Sequence, residues 1–210
     1  ANSLFDSNST AASFGRGGAI ATAAGNVQIY DSEFQNNLTR STDSTGGAIS
    51  TLSGSISLSL SDLTQNHTEG TGSPGGAVYS DTGYIAIDQT SLSLNRTTGD
   101  ASPGAAVSAG SGNISLLNST LNENSTFGSS ASGGALYSGT VSGTVVVIQS
   151  TLSGNAVKGA ESGGGALALI GGTLKVVQST VTRNQVGNID STNLSGGGIL
   201  ARLSRITLEN

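Results

Sequence analysis

The chain has 210 residues, of which 32 are Gly, 35% are apolar and only 10% are charged. A net charge of −5 with eight Lys plus Arg argues against partnership with nucleic acid or an anionic membrane surface. The absence of Cys excludes disulfides, thiolate zinc sites and thiol catalysis together.

Apolar runs such as "VVVI" (145–148) and "ALALI" (166–170) are too short for a spanning helix, so no membrane insertion is expected. With neither a leader nor any Met, the chain is expected to be a processed product or an internal segment of a longer polypeptide. No cofactor is expected.

Read in chain order, the sequence declares a repeat almost at once. It opens with "FDSN" (5–8), and residues 17–37 read "GGAIATAAGNVQIYDSEFQNN". The same phrase returns as "GGAISTLSGSISLSLSDLTQN" (46–66) and "GGAVYSDTGYIAIDQTSLSLN" (75–95), each 29 residues further on. One column holds Asn8, Asn37, Asn66, Asn95, Asn124, Asn155 and Asn184. Eleven residues after each of the first six stands Ala19, Ala48, Ala77, Ala106, Ala135 or Ala166, and a three-residue insertion puts Gly198 in the last such slot. Twelve residues before the asparagine stand Gly25, Gly54, Gly83, Gly112, Gly143 and Gly172, which reads as a turn or a close backbone approach.

Between that glycine and the asparagine, apolar residues alternate with polar ones. Val27, Ile56, Ile85, Ile114, Val145 and Leu174 form one column, and Ile29, Leu58, Ile87, Leu116, Val147 and Val176 form another two residues on. A third holds Phe34, Leu63, Leu92, Leu121, Leu152 and Val181; a fourth follows the alanine, from Ile20 and Ile49 to Leu167 and Ile199. Period-two alternation predicts strands, about three to a repeat. No single repeat can bury its own apolar face, so the repeats must stack. The expected fold is all-β: a right-handed parallel β-helix, or β-solenoid, of about seven rungs forming a single repeat domain over 1–210. The variable stretches after each asparagine, such as "RSTDST" (40–45) and "EGTGSP" (69–74), are expected to protrude as loops.

The alternation of "GGAI" (17–20, 46–49), "GGAV" (75–78) and "GGAL" (133–136, 164–167) with "FDSN" (5–8) and "FQNN" (34–37) resembles the motifs of the chlamydial polymorphic membrane proteins, which are surface autotransporter adhesins. The resemblance spans nearly the whole chain and implies an extracellular β-helix scaffold. The chain departs from that pattern in placing Leu or Val where Phe is expected in most repeats, and in having no Cys.

The asparagine column admits two readings. Asn8, Asn37, Asn66, Asn95 and Asn124 each begin an N-x-S/T sequon, which would suit a stripe of glycans. Alternatively, the column is an inward structural ladder of amides. The residue two places on is Thr five times, then Val157 and Val186, and this favours the inward ladder. The off-column sequons at Asn113, Asn118 and Asn193 are then the better sites for N-glycosylation.

Asp31, Glu33 and Asp62 gather on adjacent repeats and would suit a weak cation site, but no Lys, Arg or His occupies neighbouring columns as a hydrolase or lyase needs. They read as a solvated face, and no metal site is expected. His67 stands in a slot that elsewhere holds Ser, Leu, Arg, Ala and Gln, which is no pattern for a catalytic base. Tyr79 and Tyr137 share a column two repeats apart and would suit stacking on sugar rings, with Ser108 interrupting them. Flat rows of Thr, as an ice-binding face requires, are broken by Glu33, Asp62 and Ser91.

No catalytic residue is therefore assigned. The expected function is a structural or adhesive extracellular rod at the cell surface, self-associating end to end into a fibre because both terminal repeats match the interior ones. Surface glycans are the other expected partner, and a carbohydrate-binding or carbohydrate-active protein is the alternative.

Overall fold

The computed structural model describes residues 2–139, 143–187 and 196–210. These form strands and turns with no helix, and every strand pairing is parallel. Partners stand one repeat apart: Val27 lies beside Ile56, Ile56 beside Ile85, and Ile85 beside Ile114. The chain is thus a β-solenoid, and each coil is named below by its ladder asparagine, from coil one (Asn8) to coil seven (Asn184).

Coil by coil, the strands gather into sheets of 7, 7 and 12 strands. A complete repeat carries four strands, not the three expected. In the second repeat these are Val27–Tyr30, Ser32–Gln35, Leu38–Thr39 and Ile49–Thr51. The extra one is the two-residue Leu38–Thr39, too short to leave a period-two signature. Late in the chain two strands merge across the corner into the 11-residue strands Leu167–Val177 and Ile199–Glu209.

The four apolar columns point inward as their alternation predicts. Ile56, Leu63, Ile85, Leu92 and Leu116 are fully buried, each contributing about 1.5–3 kcal/mol through burial. Phe5 and Phe34 stack face to face, ring centroids 4.5 Å apart. From coil three onward Leu or Val fills that column, because a stack of like coils needs the volume but not the ring.

Two kinds of glycine make the coils tight. Gly75, first of its Gly-Gly pair, has φ +74, a region open to glycine at little cost. Gly83 represents the other column, where a Cβ would collide with the carbonyl oxygen of Gly54 in the coil below. There the need is close approach along the axis.

Among the described residues, the stretches expected to protrude do not. Ser44, Ser73 and Ser102 within them are wholly buried, and their backbone bonds to neighbouring coils, as in Asp43 N–H to Thr71 O at 2.9 Å and Gly72 N–H to Asp100 O at 2.9 Å. Small residues there permit stacking in register, so the segment is a wall of the coil and not an excursion from it.

Candidate functional site

Corners of the coil share one device. Asp31, Asn36 and Asp43 all have positive φ, between 49° and 55°, and each is followed by a small polar residue, Ser32, Asn37 and Ser44. A left-handed residue turns the chain and points the next N–H along the solenoid axis, where the next coil supplies a side-chain oxygen. Ser32 N–H donates to Ser61 Oγ at 3.2 Å, Asn37 N–H to Asn66 Oδ1 at 3.0 Å, and Ser44 N–H to Ser73 Oγ at 3.1 Å. Three side-chain ladders therefore run along the molecule: one of asparagine and two of hydroxyls, the one through Ser73 and Ser102 interrupted at Ala131 and resumed at Ser162.

The asparagine ladder satisfies every polar valence it buries. Asn66 Oδ1 accepts from Asn37 N–H and from Asn37 Nδ2 at 2.9 Å. Asn66 Nδ2 donates to Phe34 O at 2.9 Å and to Asn95 Oδ1 at 3.1 Å. Asn37, Asn66, Asn95, Asn124 and Asn155 are completely buried, whereas Asn8 is exposed and Asn184 half-buried. Only an amide of this length both donates and accepts in this geometry; an aspartate would bring a buried charge and lose both donors.

The column two residues on also points inward, with Thr39, Thr68, Thr97, Thr126 and Val157 buried. Thr126 Oγ1 donates to Ala131 O at 2.9 Å, but Thr39 and Thr97 hydroxyls find no partner. The hydroxyl is thus optional there, which explains Val at the last two places.

The candidate glycosylation sites lie apart from this ladder. Asn113 and Asn118 are exposed; Asn113 Oδ1 accepts from Thr144 N–H at 2.7 Å, and Asn118, with φ 48°, donates to Asp88 Oδ1 at 3.3 Å. Asn193 lies outside the described residues.

Among the other candidates, Glu33 and Asp62 are direct cross-strand neighbours. Asp62 borders a shallow cavity of about 420 Å³ with Gln89 and Asn118. Among the described residues no group of three or more His, Cys, Asp or Glu is placed to hold a metal ion. Tyr79 and Tyr137 sit two coils apart on one face, with Ser108 between. The Tyr79 hydroxyl donates to Asp81 Oδ1 at 3.2 Å, and burial followed by the Asp81 charge raises its pKa. Tyr137 is likewise raised by burial and borders a cavity of about 420 Å³ with Glu161 and Arg202.

One feature of the outer surface is hidden by the overall charge. Outward positions across the two-residue strands carry Arg40, Arg96, Lys158 and Arg183, half of the eight Lys plus Arg. Against them stand Glu69 and Glu123, only two of thirteen Asp plus Glu. This face has a local excess of positive charge on an acidic molecule, four cations against two carboxylates, which the net charge of −5 does not reveal. Two concavities of about 310 and 290 Å³ meet on it, sharing Leu94 and Arg96. Lys158 Nζ lies 4.3 Å from the centroid of the Phe127 ring. His67 Nε2 stands 3.3 Å from Glu69 Oε1, while burial, then Arg96, pushes the imidazole pKa down. The signal for this face was present in the sequence, as cations one residue before or one or three residues after the ladder asparagine.

Comparison of the chain with family models, with curated proteins and with solved structures finds no match. Among the described residues no helix is long and apolar enough to cross a membrane.

Proposed function

We propose that this protein is a structural and adhesive extracellular rod of the cell surface, joined in line with coils of its own kind. The observation that carries this reading is the direction of the ladders. In each, the N–H of one coil donates to a side-chain oxygen of the next, and the parallel sheets repeat the same polarity. A surface with that pattern is complemented by another coil bearing the same columns, so like joins like head to tail, a heterologous contact that propagates. The likeness of the GGA-plus-aliphatic and F-x-x-N motifs to chlamydial surface adhesins supports the extracellular placement.

The test is negative-stain microscopy together with light scattering over a range of concentrations. Rods of constant width whose length grows with concentration are expected. A single short particle at every concentration would contradict head-to-tail joining.

A further inference from the structure

We propose that the face of the two-residue strands, from coil two to coil six, is a docking groove for a linear polysaccharide in which acidic sugars alternate with neutral ones. This deepens the adhesive part of the proposed function and rests on it.

Charge pattern is the first support. Arg40, Arg96 and Lys158, all exposed, stand on coils two, four and six. Coils rise by about 4.8 Å each, so these cations recur roughly every 10 Å along the axis, the length scale of a two-sugar unit. The intervening coils three and five carry Glu69 and Glu123 instead. From coil two to coil six a carboxylate would therefore be attracted on even coils and repelled on odd ones, the cation of coil seven, Arg183, lying beyond this track. A polymer with a charge on every sugar meets that repulsion; one with alternating charge avoids it.

The odd coils add the chemistry a neutral sugar requires. Gln65 and Ser125 offer amide and hydroxyl groups that both donate and accept, and the Glu69 and Glu123 carboxylates accept from hydroxyls or acetamido N–H groups. Phe127, about two-fifths exposed, presents a ring beside the larger concavity, with the Lys158 ammonium at its face. A protein partner would want a broad apolar centre ringed by polar groups. Here the large exposed apolar side chains are Leu94 and Phe127, separated by Arg96 and Glu123. The concavities run into one another at Leu94 and Arg96, giving a track along the axis and not an isolated pit.

The experiment is titration with a hyaluronan hexasaccharide, whose carboxylates alternate, against its carboxyl-reduced form and an oligogalacturonate of equal length. Hyaluronan is expected to bind, weakening with added salt. Arg96→Gln or Lys158→Gln should each lower affinity about tenfold through loss of a charge-assisted bond, as should carboxyl reduction of the ligand. Asp62→Asn, on a neighbouring face, should change nothing, and oligogalacturonate should bind more weakly until Glu69→Gln and Glu123→Gln are introduced together. These side chains are at the surface, and unchanged melting of each variant confirms that the fold is retained.

Equal affinity for both polymers, full binding by the Arg96 and Lys158 variants, or no binding at all would overturn the proposal. Tighter binding of a polyglutamate peptide would assign the face to an acidic protein segment and so overturn it. Self-association abolished by Arg96→Gln would assign it to a second copy, with the same consequence. Microscopy of the same samples separates the two readings: rods without glycan binding remove only the ligand, and binding without rods removes only the assembly.

Discussion

Asn66 in coil three and Asn8 in coil one carry the same side chain in the same column, yet they do different amounts of structural work. Asn66 is sealed from solvent and fills all four of its side-chain hydrogen-bonding positions. Asn8 is exposed and donates only forward, to Asn37 Oδ1 through its backbone N–H and Nδ2. The apolar columns differ in the same way: Ile49 is fully buried in the second repeat, while Ile20 in the first is only half so. A repeat sequence thus does not confer equal stability on every repeat. Within this chain an asparagine or isoleucine is sealed only where a coil lies on both sides, and a coil joined in line before Asn8 would seal it in the same way.

The largest test of that difference is a charge in the middle of the stack. Ile85→Asp buries a carboxylate among Ile56, Ile114 and Leu92, and is expected to cost more than about 4 kcal/mol in chemical denaturation. An unchanged midpoint would refute the column assignment. Next comes the ladder itself. Asn66→Ala leaves the buried Asn37 N–H without its acceptor and takes one bond each from Asn37 Nδ2 and the Phe34 carbonyl, and should cost about 3–4 kcal/mol; Asn8→Ala, in the isolated chain, should cost less than about 0.5 kcal/mol. Equal effects in the two coils would break the contrast between sealed and open asparagines.

Gly83→Ala sharpens the comparison along another column. A methyl group there meets the Gly54 carbonyl, and shifting the stacked backbone should cost about 2–3 kcal/mol in the same assay. A neutral result would mean that the coils are not held this closely.

The smallest expected effect belongs to His67. Its pKa lies below the ordinary value of 6.5 because burial, then Arg96, disfavours the cation. The unfolded chain therefore takes up the proton first, and stability should decline slightly as pH falls below about 6.5. Melting of His67→Gln should lose that increment of pH dependence; a wild-type protein stabilised on acidification through this range would contradict the assigned shift.

Much of the architecture was legible because stacking converts sequence period directly into spatial columns. Ile56 over Ile85 over Ile114 needs no more than counting. The asparagine ladder was legible for a related reason: Val157 and Val186 marked its neighbouring column as inward. The corners were less visible. Leu60, Gln89 and Leu94 adopt positive φ without being Gly, Asn or Asp, because stacked neighbours on both sides hold them in a conformation their own preferences disfavour. The signal lay one residue later, in Asn95 after Leu94 and in the recurring Ser61, Thr90, Ser119 and Ser150, whose hydroxyls accept the turned N–H groups of the coil before. The buried serines of the supposed loops, Ser44, Ser73 and Ser102, were missed because a variable, polar stretch reads as solvent-facing unless its columns are aligned too. The basic face was obscured by the net charge, which averages over faces that the coil separates.

The repeated asparagines form an inward, fully bonded ladder, and side-chain amide exchange followed by NMR reads that bonding residue by residue. The Nδ2 hydrogens of Asn37, Asn66, Asn95, Asn124 and Asn155 should exchange slowly, protected with the core strands, while those of exposed Asn113 and Asn118 exchange freely. Ladder amides exchanging as fast as those of Asn113 and Asn118 would show that the column faces solvent and would contradict the account.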